Sequence, residues 1–259
     1  MDEQKCGKCR GIPVAATIGL FILASTIFAS LTAYKIKQLG NVLSVTGSAE
    51  RTVKSDVIKW TSSFSRTTGP DNLADGNTAM ARDLVAIKNY LKSKGVAETS
   101  IAIQPMTVAM TCENQGSYSY DKFGNQTCGA GRISGYSLQQ AIVIESADVD
   151  KLAKVATEAT SELVSKGVIF TSQSVEYYYN KLAELKLDLL DQATKNASER
   201  AERIAKSTGR GLGSLQSAGM GVFQVTAVNS MDISDYGAYD TSAVEKKVTA
   251  VVRASFSLR

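Results

Sequence analysis

The chain has 259 residues, 44% apolar and 21% charged, with a formal net charge of +4. Lysine and arginine form no stripe, so nucleic-acid binding has no electrostatic footprint. Histidine is absent, which excludes His-based triads, His-ligated metals and haem, and the usual imidazole pH switch.

The first ten residues are polar and carry Cys6-Gly7-Lys8-Cys9. A C-x-x-C pair can supply half a zinc site or a redox couple. Here no strand precedes it, and two further ligands would have to come from another chain. Reduced thiols in a cytoplasmic tail (1–10) are the plainer reading, with Cys6 and Cys9 kept as a weak metal candidate.

Residues 11–34 contain no charged side chain. As a helix this stretch is about 36 Å long, enough to cross a hydrocarbon core of about 30 Å. Ile12, Leu20, Phe21, Ile22, Leu23, Ile27, Phe28 and Leu31 would face lipid. The run exceeds the apolar core of a signal peptide, and no clean A-x-A site follows Ala29 and Ser30. An uncleaved single-pass anchor is expected, then a linker over 35–41. Basic residues flank both ends, so the positive-inside rule does not orient it. Cys112 and Cys128 do, because a cysteine pair in the large domain suggests an oxidising compartment. The expectation from these residues is a single-pass membrane protein with a cytoplasmic tail and an exported large domain, 42–259.

A strand is expected over 42–49, ending at Gly47-Ser48. A second covers 57–66, with Ile58, Trp60 and Phe64 on one face and Lys59, Thr61 and Ser63 on the other. Gly69-Pro70-Asp71 opens a helix whose stripe is Leu73, Asn77, Met80, Leu84, Ile87 and Leu91, stopped by Gly95. Residues 101–111 read as a strand, at an edge or bulged because of Pro105. The polar stretch between Cys112 and Cys128 would be floppy unclosed; a disulfide across it would contribute about 3 kcal/mol.

Residues 135–145 form a strand with Tyr136, Leu138, Ile142 and Ile144 on one face. Asp148 caps a helix carrying Leu152, Val155, Ala159 and Leu163, stopped by Gly167. Residues 168–179 are strand-like and end in Tyr177-Tyr178-Tyr179, half core and half surface, or else an aromatic subunit contact. The longest helix of the large domain, 181–208, has the stripe Leu182, Leu185, Leu189, Ala193, Ala197, Ala201 and Ile204, with Gly209 as its stop. A strand over 215–228 contains Gly219 and Gly221. A loop over 229–245 carries Met231, Tyr236 and Tyr239. The last strand alternates most cleanly, with Val248, Ala250, Val252, Ala254, Phe256 and Leu258 on one face. The order β-β-α-β-β-α-β-α-β-β predicts an α+β fold of antiparallel sheets with helices on one face, and the β-α-β unit around the first helix recurs around the second.

Val42-Leu43-Ser44-Val45-Thr46-Gly47-Ser48-Ala49-Glu50, followed by Val53-Lys54-Ser55-Asp56, resembles the opening of the SIMPL domain. Ser134-Gly135-Tyr136, Asp148 with Leu152, Ala205-Lys206-Ser207-Thr208-Gly209 and Val248-Thr249-Ala250 resemble its later motifs in order. The resemblance covers roughly residues 42–258. It implies an exported α+β protein, akin to periplasmic immunogenic and oxidative-stress-defence proteins, that assembles into large rings or channel-like homo-oligomers. Together with the anchor, the resemblance implies a bacterial inner-membrane protein with the large domain on the periplasmic side. It implies no catalytic residue and no cofactor. The expected partners are further copies of the chain and the lipid bilayer. A ligand- or partner-binding module, using the cysteine loop and the 229–245 loop, is the alternative; a thiol redox enzyme ranks below both.

Overall fold

The computed structural model describes residues 11–39, 41–113, 118–124, 126–129, 131–231 and 234–259. Cys6 and Cys9 lie outside them, as does the side chain of Ile12. Helix α1 (Gly11–Leu39) includes the whole apolar stretch and continues through residues read as the start of a linker. Its described side chains are those of residues 17–33, short of the roughly 20 residues a span requires. Among the described residues no helix is long and apolar enough to cross a membrane.

The elements after α1 are β1 (Val42–Lys54), β2 (Val57–Thr68), α2 (Leu73–Ser93), β3 (Ile101–Ile103), β4 (Thr107–Cys112), β5 (Tyr118–Tyr120), β6 (Gln126–Cys128), β7 (Ile133–Ser146), α3 (Val149–Ser165), β8 (Ile169–Tyr178), α4 (Leu182–Ser207), β9 (Leu212–Met220), β10 (Gln224–Ala227), β11 (Ala238–Tyr239) and β12 (Glu245–Leu258). The expected α+β class is what the chain adopts. Its described residues form two compact units: those within 11–49, 189–221 and 250–259, and those within 50–188 and 222–249.

In the larger unit an antiparallel sheet has β7 and β2 at its centre. Edge strand β8 pairs with β2, and β3 and β4 pair with β7 along the other edge. Counting β3 and β4 as one interrupted strand gives the order 4-1-3-2 of a β-α-β-β-α-β, ferredoxin-like unit. The repeated β-α-β pattern in the sequence is the signature of that arrangement. Pro105 cannot donate to a ladder, and the expected strand over 101–111 breaks there into two edge pieces.

The even-numbered face of β2 builds the core. Ile58, Trp60 and Phe64 are buried with Leu138, Ile142 and Ile144 of β7, Ile87 and Leu91 of α2, and Leu152, Ala159 and Leu163 of α3. The Trp60 ring meets Phe170 edge-on at 6.0 Å, and its Nε1 donates to Ser172 Oγ at 2.8 Å, so a buried polar atom is satisfied. Asp148 caps α3 as expected, accepting from the Lys151 N–H at 3.2 Å. The helix stops Gly95, Gly167 and Gly209 all have positive φ, at 74°, 79° and 70°, where a side chain would be strained.

The stripe of α2 differs from the apolar reading. Leu73 and Asn77 are exposed, and the buried residues are Gly76, Met80, Asp83, Ile87, Tyr90 and Leu91. Asp83 is buried because Arg66 holds it in a fork: Nε to Oδ2 at 2.6 Å and Nη2 to Oδ1 at 2.8 Å. Nη2 also donates to the Gly167 carbonyl at 2.6 Å. One guanidinium thereby ties β2 to α2 and to the turn after α3, and the hydrogen bond to Asp83 raises its pKa above the ordinary arginine range, against an opposing desolvation.

The polar stretch closed by the cysteines is not featureless: β5 and β6 pair as a hairpin, with Tyr118 opposite Cys128. Cys112 and Cys128 are disulfide-bonded, with Cα atoms 5.6 Å apart.

In the smaller unit β12 lies between β1 and β9. Strand β1 does not stop at Gly47-Ser48 but runs through them. Gly47 instead permits close approach of α4: a Cβ placed there would sit 2.7 Å from the Ala197 Cβ and closer still to the Ala193 carbonyl oxygen and the Ala197 nitrogen. The buried stripe of α4 advances in strict steps of four, through Leu189, Ala193, Ala197 and Ala201 to Ala205, while Ile204 is 44% exposed. Val45, Ala197, Ala201, Ala254 and Phe256 form the small core. The expected strand over 215–228 is two strands, β9 and β10, separated by residues 221–223.

Candidate functional site

Strand alternation places the side chains of Val57, Lys59 and Thr61 opposite the core face of β2. The register then decides their neighbours. Lys59 is paired directly with Glu145 on β7 and with Glu176 on β8, and Val57 with Tyr178. One ammonium is thus flanked by two carboxylates on the face not occupied by core side chains. Lys59 Nζ is 3.8 Å from Glu176 Oε2, and the same oxygen accepts from the Tyr178 hydroxyl at 3.1 Å. Glu145 is exposed, and among the described residues its carboxylate forms neither a hydrogen bond nor an ion pair.

Above this row is a cleft of about 400 Å³ lined by Val57, Lys59, Glu145, Tyr178, Tyr179, Asn180 and Tyr239. The rings of Tyr178 and Tyr239 lie 6.4 Å apart, tilted by 31°. The floor is held by two main-chain bonds, Asp56 N–H to the Tyr178 carbonyl at 3.0 Å and Tyr177 N–H to the Thr241 carbonyl at 2.7 Å, and by the Asp56 side chain, whose Oδ1 accepts from the Asn180 N–H at 2.8 Å. The tyrosine triplet divides: Tyr177 packs on the core, Tyr178 takes the opposite face by alternation, and Tyr179, just past the end of β8, also lines the cleft. Desolvation raises the Tyr178 hydroxyl pKa, and its bond to Glu176 adds to this; desolvation alone raises that of Tyr239.

The segment bearing Tyr239 is fastened by a buried lysine. Lys246, 1% exposed, continues the inward row of Val248 and Ala250. Its Nζ donates to the carbonyls of Asp240, at 2.5 Å, and Ala243, at 2.8 Å. Desolvation holds its pKa below the ordinary lysine range, partly offset by the Asp240 charge. Asp240 Oδ1 in turn accepts from Ser242 Oγ, the Ser242 N–H and the Ala243 N–H at 2.8, 2.6 and 3.3 Å. The Ser242 hydroxyl leads the groups that keep its carboxyl below the ordinary range. Gln224 completes the fastening, donating to the Ser234 carbonyl at 2.6 Å and accepting from the Ala238 N–H at 3.0 Å.

The residues singled out from the sequence do not converge on one place. Leu20, Phe21, Ile22, Leu23, Ile27, Phe28 and Leu31 lie along α1, between 57% and 78% exposed. Cys112 and Cys128 staple the hairpin at the end of β4. No cluster of Cys, Asp and Glu among the described residues is placed to hold a metal. The cleft itself was missed. The parity of Tyr178 and Lys59 was available in sequence, but their pairing with Glu145 and Glu176 depends on register between strands far apart in the chain.

No curated protein matches the chain. The sequence profile of SIMPL, a protein family of unknown function (DUF541), matches residues 43–256. That match takes in β1 through nearly the whole of β12, and the chain belongs to the SIMPL family.

Proposed function

We propose that this SIMPL-family protein is a non-enzymatic scaffold, anchored in the inner membrane by α1, that assembles through its folded part into a closed homo-oligomer outside the cytoplasm. The observation that carries the reading is the exposure of large apolar side chains on α1. Leu20, Phe21, Ile22, Leu23, Ile27, Phe28 and Leu31 are all more than half exposed. Removing such side chains from water is worth about 1.5–3 kcal/mol each, and a helix apolar all round is normally buried in protein or lipid. Ser25 and Thr26 fit that setting, since their hydroxyls donate to the carbonyls of Ile22 and Leu23 at 2.9 Å.

Self-assembly is supported by β9. Residues 214–220 are exposed throughout, and among the described residues the strand pairs only with β12. An open edge of this length invites another strand, and a ring closes such edges without leaving a growing end. The disulfide favours an oxidising compartment for the large domain.

The test is membrane fractionation followed by light scattering. The full chain is expected in the membrane pellet, extracted by mild detergent but not by alkaline carbonate. Residues 40–259 are expected to remain a multimer at micromolar concentration. Release by carbonate refutes the anchor; a monomeric 40–259 fragment refutes assembly through the folded part.

A further inference from the structure

We infer that the tyrosine-lined cleft over Lys59 and Glu145 binds a small organic ammonium ion. The charges at its base are unequal. Lys59 is one positive charge set in register between two negative ones, Glu145 and Glu176. Glu176 is engaged by both Lys59 and the Tyr178 hydroxyl. Among the described residues the carboxylate of Glu145 is the one of the two that has no ion pair or hydrogen bond, and it stands in the wall of the cleft.

A cation is therefore the ligand that completes the site electrostatically. Its kind follows from the remaining walls. A calcium ion takes about six to eight oxygen ligands, and among the described residues the cleft offers one carboxylate outside an ion pair. The other walls are aromatic. Tyr178, Tyr179 and Tyr239 line the cleft, and the quadrupole of an aromatic ring attracts a weakly hydrated cation, the chemistry of aromatic cages for quaternary ammonium groups. Tyr239 is 47% exposed, so part of its ring stays open to a ligand. The volume of about 400 Å³ falls within the usual range for small-molecule sites. The wall carrying Tyr239 is held in place by Lys246 and Gln224, which lowers the ordering cost of binding.

The experiment is calorimetric titration of the full chain in a maltoside detergent with choline chloride. A parallel titration uses 3,3-dimethylbutan-1-ol, which has the shape of choline without the charge. Choline is expected to give saturable heat at one site per chain, and the neutral alcohol to bind at least roughly tenfold more weakly. Glu145→Gln, at an exposed position, is expected to weaken choline about tenfold while leaving the thermal melt unchanged. Tyr239→Ala is expected to weaken it as well. Absence of saturable heat from choline overturns the inference. So does equal binding of the neutral alcohol, which would mark a site for uncharged ligands. An unchanged choline affinity in the well-folded Glu145→Gln protein overturns it too.

Discussion

Gly47→Ala tests whether α4 is seated on β1 as closely as the structure places it. Alanine at an unhindered strand position is expected to stabilise, by about 0.4–1 kcal/mol, because it restricts the unfolded chain. At residue 47 the new methyl would stand 2.7 Å from the Ala197 Cβ, against about 3.5–4.0 Å for an ordinary carbon contact. The nearer obstacles, the Ala193 carbonyl oxygen and the Ala197 nitrogen, are backbone, so no rotamer change relieves them. Helix α4 must retreat by about 1 Å, loosening Val45, Ala201, Ala254 and Phe256 together. Overpacking of this kind costs about 1–3 kcal/mol, which exceeds the unfolded-state gain and reverses the sign. Gly219→Ala is the matched control. It lies in the same unit, on β9, with nothing within 4 Å of the added carbon, and is expected to be neutral or slightly stabilising. Thermal unfolding followed by circular dichroism should move in opposite directions for the two, by roughly 2–4 °C per kcal/mol. Hydrogen exchange should localise the Gly47→Ala loss to α4 and β1. A Gly47→Ala protein as stable as Gly219→Ala refutes the close seating of this helix.

Replacing Cys112 and Cys128 together with serine opens a loop with a sequence separation of 16, a change of about 3 kcal/mol in the chain-entropy model. The expected result is faster amide exchange confined to the β5–β6 hairpin and β4, with Trp60 and its neighbours still protected; a non-reducing peptide map of the native protein that finds both thiols alkylated refutes the bond. The depressed Asp240 carboxyl contributes stability that is complete above the ordinary aspartate pKa of about 4 and is lost as pH falls through its lower folded value. Asp240→Asn is expected to remove that acid dependence from the exchange of the Ser242 and Ala243 amides, and an unchanged pH profile in the variant contradicts the assignment.

What the sequence determined by itself is local. Alternation of Ile58, Trp60 and Phe64 determined the core face of β2, and the Asp148 cap and the Gly95, Gly167 and Gly209 stops marked helix ends, because period and φ preference act over a few residues. The twice-repeated β-α-β order and the family motifs carried the α+β class. Tertiary structure decided where a local rule met a distant partner. Asp83 joined the buried face of α2 because Arg66, on another strand, supplies its counter-charge. Gly47 continued its strand because α4 needed the space. Ala205 replaced Ile204 in the stripe because the contact surface of α4 follows four-residue steps. Lys59, Glu145 and Glu176 met only through the register of three strands, and register is set by which faces are buried together. No window of sequence contains all three residues, so the cleft above them became visible only once the sheet was assembled.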